Sequence, residues 1–151
     1  MANRWTLQTS SAHGLSSGDV VSVGSTGFSV LDGFSFAVDV VNTVQFRLLL
    51  LSYAGDTSGS YPDAAYVVNT YGDTVTAGTV RKQVAVVSNL SHLEGLTVSG
   101  VGDGGVLPDM VVTDGRVDLG GYYSSVILGL PYSTYVEPMG EEVLRHDPNI
   151  D

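Results

Sequence analysis

Hydrophobic and polar residues alternate in distinct runs of this chain with the two-residue period of a strand. In "FSFAVDVV", residues 34–41, Phe34, Phe36, Val38 and Val40 share one side while Ser35, Ala37 and Asp39 share the other. The alternation resumes in "VQFRLLLL", where Val44, Phe46, Leu48 and Leu50 oppose Gln45 and Arg47. Two such runs separated by a polar pair predict an antiparallel hairpin turned at Val41 to Thr43. Upstream, "WTLQTS" and "DVVSV" predict two more short strands.

The stretch 52–78 is rich in Gly, Ser, Asp and Thr, which predicts a long loop with a brief strand near Tyr66 to Val68 and makes it the expected domain boundary. Beyond it, "TVRKQVAVVS", "LTVSGV", "GGVLP", "MVVT", "RVDLG" and "SSVILGL" predict short strands punctuated by turn signals. Asp103-Gly104 and Asp114-Gly115 each stand between two such runs, and Asp-Gly accepts the positive φ angles of a two-residue hairpin. Gly14, Gly18, Gly33 and Gly95 are read as turn formers as well. No segment keeps a 3.6-residue period; "GEEVLRH", 140–146, supports a turn of helix at most.

Composition agrees with this pattern. Nineteen glycines and 15% charged residues favour short strands and turns over helices, and 43% hydrophobic residues are enough for a buried core. Sixteen acids against six Lys plus Arg give a formal charge of -10, which argues against a phosphate-backbone partner because counterion release needs clustered cations. The chain has no cysteine, so disulfides, thiolate metal sites and cysteine nucleophiles are excluded. Its start has no apolar signal-like stretch, and "LLLL" at 48–51 is too short to span a bilayer; no membrane association is expected.

The chemistry-bearing residues are sparse. His13, His92 and His146 lack metal-ligand spacing, and His92 is expected to pack beside a turn and donate to a backbone carbonyl. No Gly-x-Ser-x-Gly elbow and no Asp-x-Asp-x-Asp-Gly loop occurs. Asp103, Asp109, Asp114 and Asp118 are available as paired carboxylates, but aspartates are also the ordinary residues of hairpin turns. No catalytic residue, metal site or cofactor is therefore assigned. Eight tyrosines, Tyr61, Tyr66, Tyr71, Tyr122, Tyr123, Tyr132 and Tyr135 among them, suit a protein interface or a sugar-stacking platform, and a single tryptophan, Trp5, weighs against the sugar. The segment "GLPYSTYVEPM" concentrates Leu130, Pro131, Tyr132, Tyr135, Pro138 and Met139 around one charge, Glu137, and is the candidate interface.

Two stretches resemble bacteriophage tail proteins of the nozzle or head-tail stabilisation type. The first, "SSAHGLSSGDVVSVGSTGFSVLDGFSFAVDVVNTVQFRL", is similar to a small β-barrel module opened by His-Gly-Leu-Ser-x-Gly-Asp; His13, Gly14, Leu15, Gly18, Asp19, Asp32, Gly33, Phe46 and Leu48 match it. The second, from "LSHLEGLTVSGVGDGG" to "GLPYSTYVEP", is similar to a His-Leu-Glu-Gly module, matched by His92, Leu93, Glu94, Gly95, Val98, Asp103, Gly104, Val112, Gly115, Leu119, Val126, Gly129, Leu130, Pro131 and Tyr132. Full nozzle-like proteins are several times longer, so the resemblance is to two of their modules.

The resulting expectation is an all-β chain. A small β-barrel spans 4–80 and includes the long loop; a second β-rich hairpin or sandwich module spans 81–138; a tail follows at 139–151. The resemblance implies a non-catalytic virion protein made in the bacterial cytoplasm, partnered by other tail subunits in a homo-oligomeric ring. A carbohydrate-binding β module is the alternative.

Overall fold

The computed structural model describes residues 4–70 and 72–133. Within them the protein is all-β. Its nine strands are β1 (Thr6–Gln8), β2 (Val20–Gly24), β3 (Ser35–Asn42), β4 (Gln45–Leu49), β5 (Thr79–Val87), β6 (Thr97–Gly102), β7 (Gly105–Val111), β8 (Val117–Tyr123) and β9 (Val126–Gly129). Short 3-10 turns at Leu51–Tyr53, Asp63–Ala65 and Ser91–Leu93 are the helical elements among the described residues. The strands form a six-stranded antiparallel sheet, ordered β1-β4-β3-β2-β5-β8, and a three-stranded one, β7-β6-β9.

The alternation in β3 and β4 is what builds the first core. Phe36 and Val38 meet Phe46 and Leu48 on one face, with Trp5, Leu7, Val21, Val23 and Leu31 packed on them. Each such side chain taken out of water contributes roughly 1.5–3 kcal/mol. The hairpin turns at Thr43 and Val44, later than the Val41 to Thr43 that the sequence predicts. The Asn42 side-chain carbonyl accepts the Val44 N–H at 2.9 Å and a bulge between Val40 and Asn42 absorbs Val41, so β3 runs on to Asn42.

The opposite face of the hairpin is covered as well. Ala37 and Leu49 pack against Ala65 and Tyr66 of the long loop, with Tyr53, Ala54 and Tyr61 alongside. Near Tyr66 to Val68 the backbone makes single bridges, Leu49 with Tyr66 and Arg4 with Val68, rather than a strand.

The expected barrel does not close. Among the described residues β1 pairs with β4 alone, and β5, the strand that would have to meet it, has β2 on one side and β8 on the other. Residues 79–83 of β5 pair with β2 and residues 84–87 with β8, so β5 carries the backbone across position 80 without interruption. Between β1 and residues 75–80 there is instead an open cleft of about 420 Å³ lined by Leu7, Thr9, Ser11, Thr26, Thr76 and Thr79.

The second core, Val98, Leu107, Val112, Val117 and Leu119, lies between β8 and the three-stranded sheet. Two runs expected to be separate strands, "GGVLP" and "MVVT", are one continuous strand, β7. Pro108 is tolerated inside it because β7 is an edge, where the missing N–H has no partner to lose.

Candidate functional site

The residues that carry the family resemblance work within the fold. His13 Nδ1 accepts the Leu15 N–H at 3.0 Å, so its proton resides on Nε2, which donates to the Asn42 carbonyl at 2.9 Å. The ring packs edge-on against Phe46. Asp19 accepts the Ser16 N–H at 2.9 Å and an ion pair from Lys82 at 2.7 Å, while the Ser17 hydroxyl accepts the Val40 N–H. These bonds lash the loop before β2 onto β3, β4 and β5.

The second motif does the same in its own half. The Glu94 carboxylate accepts the backbone N–H groups of Asp114 and Gly115 at 3.0 and 2.7 Å, and Leu93 packs into the second core. His92, expected to pack and donate to a carbonyl, is exposed instead; a 3-10 turn of three residues directs Leu93 inward and leaves His92 outside. Asp103 binds the N–H groups of both Ser124 and Ser125 at 2.8–3.1 Å. Asp103 and Asp114, with Gly14, Gly18, Gly33, Gly95, Gly104 and Gly115, all have positive φ. Acids in this chain thus act repeatedly as acceptors for turn amides.

Among the described residues the tyrosines form no open platform. Tyr53, Tyr61 and Tyr66 stack edge to face at 6.0 and 6.3 Å on the reverse of the β3-β4 hairpin. The buried Tyr66 donates to the buried Asp39 at 2.9 Å, Asp39 pairs with Arg47 at 3.3 Å, and the Arg4 guanidinium lies over the Tyr66 ring while also pairing with Asp63. Burial, reinforced by the bond to Asp39, holds the Tyr66 hydroxyl pKa above its ordinary value. Burial and the nearby Asp56 do the same for Tyr61, whose hydroxyl donates to the Asp56 carbonyl. Tyr123 packs into the second core, and Tyr132 is the widely exposed tyrosine among the described residues.

The outward face of the three-stranded sheet carries an apolar row. Register places Val106, Val101 and Ile127 side by side across β7, β6 and β9, on the face turned away from the second core. Their exposures are 89%, 39% and 72%. Past the end of β9, Leu130, Pro131 and Tyr132 are exposed as well, Leu130 by 53% and Tyr132 by 86%. Three of the six predicted interface residues, Leu130, Pro131 and Tyr132, are thus exposed; Tyr135, Pro138 and Met139 lie outside the described residues, as does His146. Val101, Val106 and Ile127 were not predicted. Their signal is parity: in "LTVSGVG" the inward positions are Val98, Gly100 and Gly102, which sends Val101 out.

Among the described residues no three His, Asp or Glu side chains converge as a metal site, and no helix is long and apolar enough to cross a membrane. No protein-family model matches the chain, and no curated protein matches it.

Proposed function

We propose that the chain is a non-catalytic structural module of a phage or prophage tail that acts in the virion by assembling with neighbouring subunits. The observation that carries this reading is the exposed apolar row Val106, Val101 and Ile127 on a sheet whose two outer strands both end it. Such a surface is unfavourable on an isolated domain and suits a protein contact. The motif residues shared with tail modules serve turns and core, which fits a building block. A glycan-binding module would want coplanar exposed rings, and the described tyrosines other than Tyr132 are edge-packed, buried or half-buried.

The test is to purify particles produced from the encoding genome and label them with antibody raised on the chain. Labelling confined to the tail is expected. Particles free of the chain overturn the proposal.

A further inference from the structure

The two edges of the three-stranded sheet differ. β7 carries Pro108 and Asp109 in its middle, two devices that block addition of a further strand. β9, the other edge, has neither. It lies within residues 119–133, "LGGYYSSVILGLPYS", which hold no charged residue in a chain of net charge -10. Of the two edge strands of the larger sheet, β1 is three residues long and faces a hydroxyl-lined cleft, while β8 carries Asp118 and is broken by the positive-φ Gly120.

The geometry points to β9 as the seam of a twofold dimer, in which β9 of a second copy of this chain pairs antiparallel with it. This rests on the reading of the chain as an assembly module and names the partner. Two copies this acidic repel over most of their surfaces, and the uncharged edge is where they meet without apposing like charges.

The register follows from the hydrogen bonding. Asp103 N–H donates to Ser125 O at 2.9 Å; antiparallel alternation from that bond turns the polar groups of Ile127 and Gly129 toward β6, and those of Val126 and Leu128 toward the open edge. Self-pairing through Val126 and Leu128 sets each Val126 opposite the other copy's Leu128 and puts Ile127 on the twofold axis. Ile127 then faces its own twin as a non-hydrogen-bonded pair, with Cα atoms about 4.5 Å apart. The two apolar rows become one, running from Val106 to Val106 across six strands.

The chain's lack of cysteine makes the test clean. Sedimentation equilibrium of the full chain is expected to give a dimer, and Ile127→Lys a monomer with the wild-type melting temperature. Mild oxidation of Ile127→Cys is expected to yield a disulfide-linked dimer, since about 4.5 Å between Cα atoms is within disulfide range. Val106→Cys, more exposed but about 24 Å from its twin across five strand spacings, is expected to stay unlinked. A monomeric wild type, a dimer that survives Ile127→Lys, or equal cross-linking of the two cysteine variants overturns the proposal. So does a monomer whose Val126 and Leu128 amides resist hydrogen exchange, because the chain itself then covers the edge. A monomer found in tail particles removes the dimer and leaves the tail assignment; a dimer absent from particles does the reverse.

Discussion

The Tyr66 hydroxyl donates to the Asp39 carboxylate at 2.9 Å, joining the long loop to the reverse face of β3 through two buried residues. Arg47 supplies the only cation paired with that carboxylate among the described residues, at 3.3 Å. A buried carboxylate that loses a donor keeps its desolvation penalty, so the bond matters more to the fold than an exposed equivalent. Tyr66→Phe is expected to cost about 1–3 kcal/mol, read as a drop in melting temperature of several degrees. A melting temperature equal to wild type would show that water replaces the hydroxyl.

The same bond sets an alkaline limit. The folded state holds the Tyr66 proton more tightly than the unfolded chain does, by burial first and by Asp39 second. Its contribution is complete below the unfolded pKa of 10.0 and is lost as pH rises toward the higher folded value. Thermal melts on the alkaline side should therefore fall more steeply for wild type than for Tyr66→Phe, and parallel curves would remove Tyr66 from the account.

Glu94 offers a separable test of the second half. Its two oxygens take the N–H groups of Asp114 and Gly115, an arrangement that resembles a helix N-cap in chemistry. Glu94→Ala is expected to cost on the order of 1 kcal/mol, with Glu94→Gln closer to wild type because one carbonyl oxygen still accepts. Amide exchange at Gly115 reads the loss directly; unchanged protection there in Glu94→Ala would assign the turn's order to the Asp-Gly pair alone.

The acids also predict the acid limb. Asp32 accepts the Thr26 hydroxyl at 2.6 Å and the Thr26 N–H at 2.8 Å, which hold its pKa below the ordinary 3.8; the Ser58 N–H does the same for Asp56. Both groups favour the fold when ionised, so their contribution is present above the unfolded pKa and disappears as pH falls through the lower folded values. Asp32→Asn should melt lower than wild type at neutral pH and lose less on acidification below about pH 4. Acid limbs of equal slope would place the sensitivity elsewhere.

The all-β class and the β3-β4 hairpin were legible because side-chain parity is local: Phe36, Val38, Phe46 and Leu48 declare one face within a few residues. The Asp103-Gly104 turn was legible for a similar reason, since two adjacent residues carry its φ requirement. Closure was not. Whether β5 meets β1 or β8 depends on residues some thirty to eighty positions apart, and alternation in "TVRKQVAVVS" is the same in either case. The covering of Ala37 and Asp39 by Tyr66 was hidden likewise, because a polar, glycine-rich loop gives no periodic sign of what it packs on. Of the outward surface, Leu130, Pro131 and Tyr132 stood out by composition, whereas Val101, Val106 and Ile127 became a row only once register aligned three strands.

Gly18 and Gly14 share a positive φ yet should respond differently to the same methyl group. A Cβ on Gly14 meets nothing within 4 Å, whereas one on Gly18 lies 2.7 Å from the Asp56 carbonyl oxygen. That contact is with backbone, so it cannot be relieved by turning a side chain. Gly18 also donates its N–H to Val38 at 2.8 Å and accepts from Gly55 at 2.7 Å, which fixes it between β3 and the long loop. Gly14→Ala is expected to cost about 1 kcal/mol for the left-handed backbone alone. Gly18→Ala adds the displacement of residues 55 and 56 and should cost on the order of 2–3 kcal/mol, visible in denaturant unfolding as a clearly lower midpoint at unchanged slope. Equal midpoints for the two variants would mean that the loop around Asp56 yields freely and that the close approach at Gly18 is not what ties it to β3.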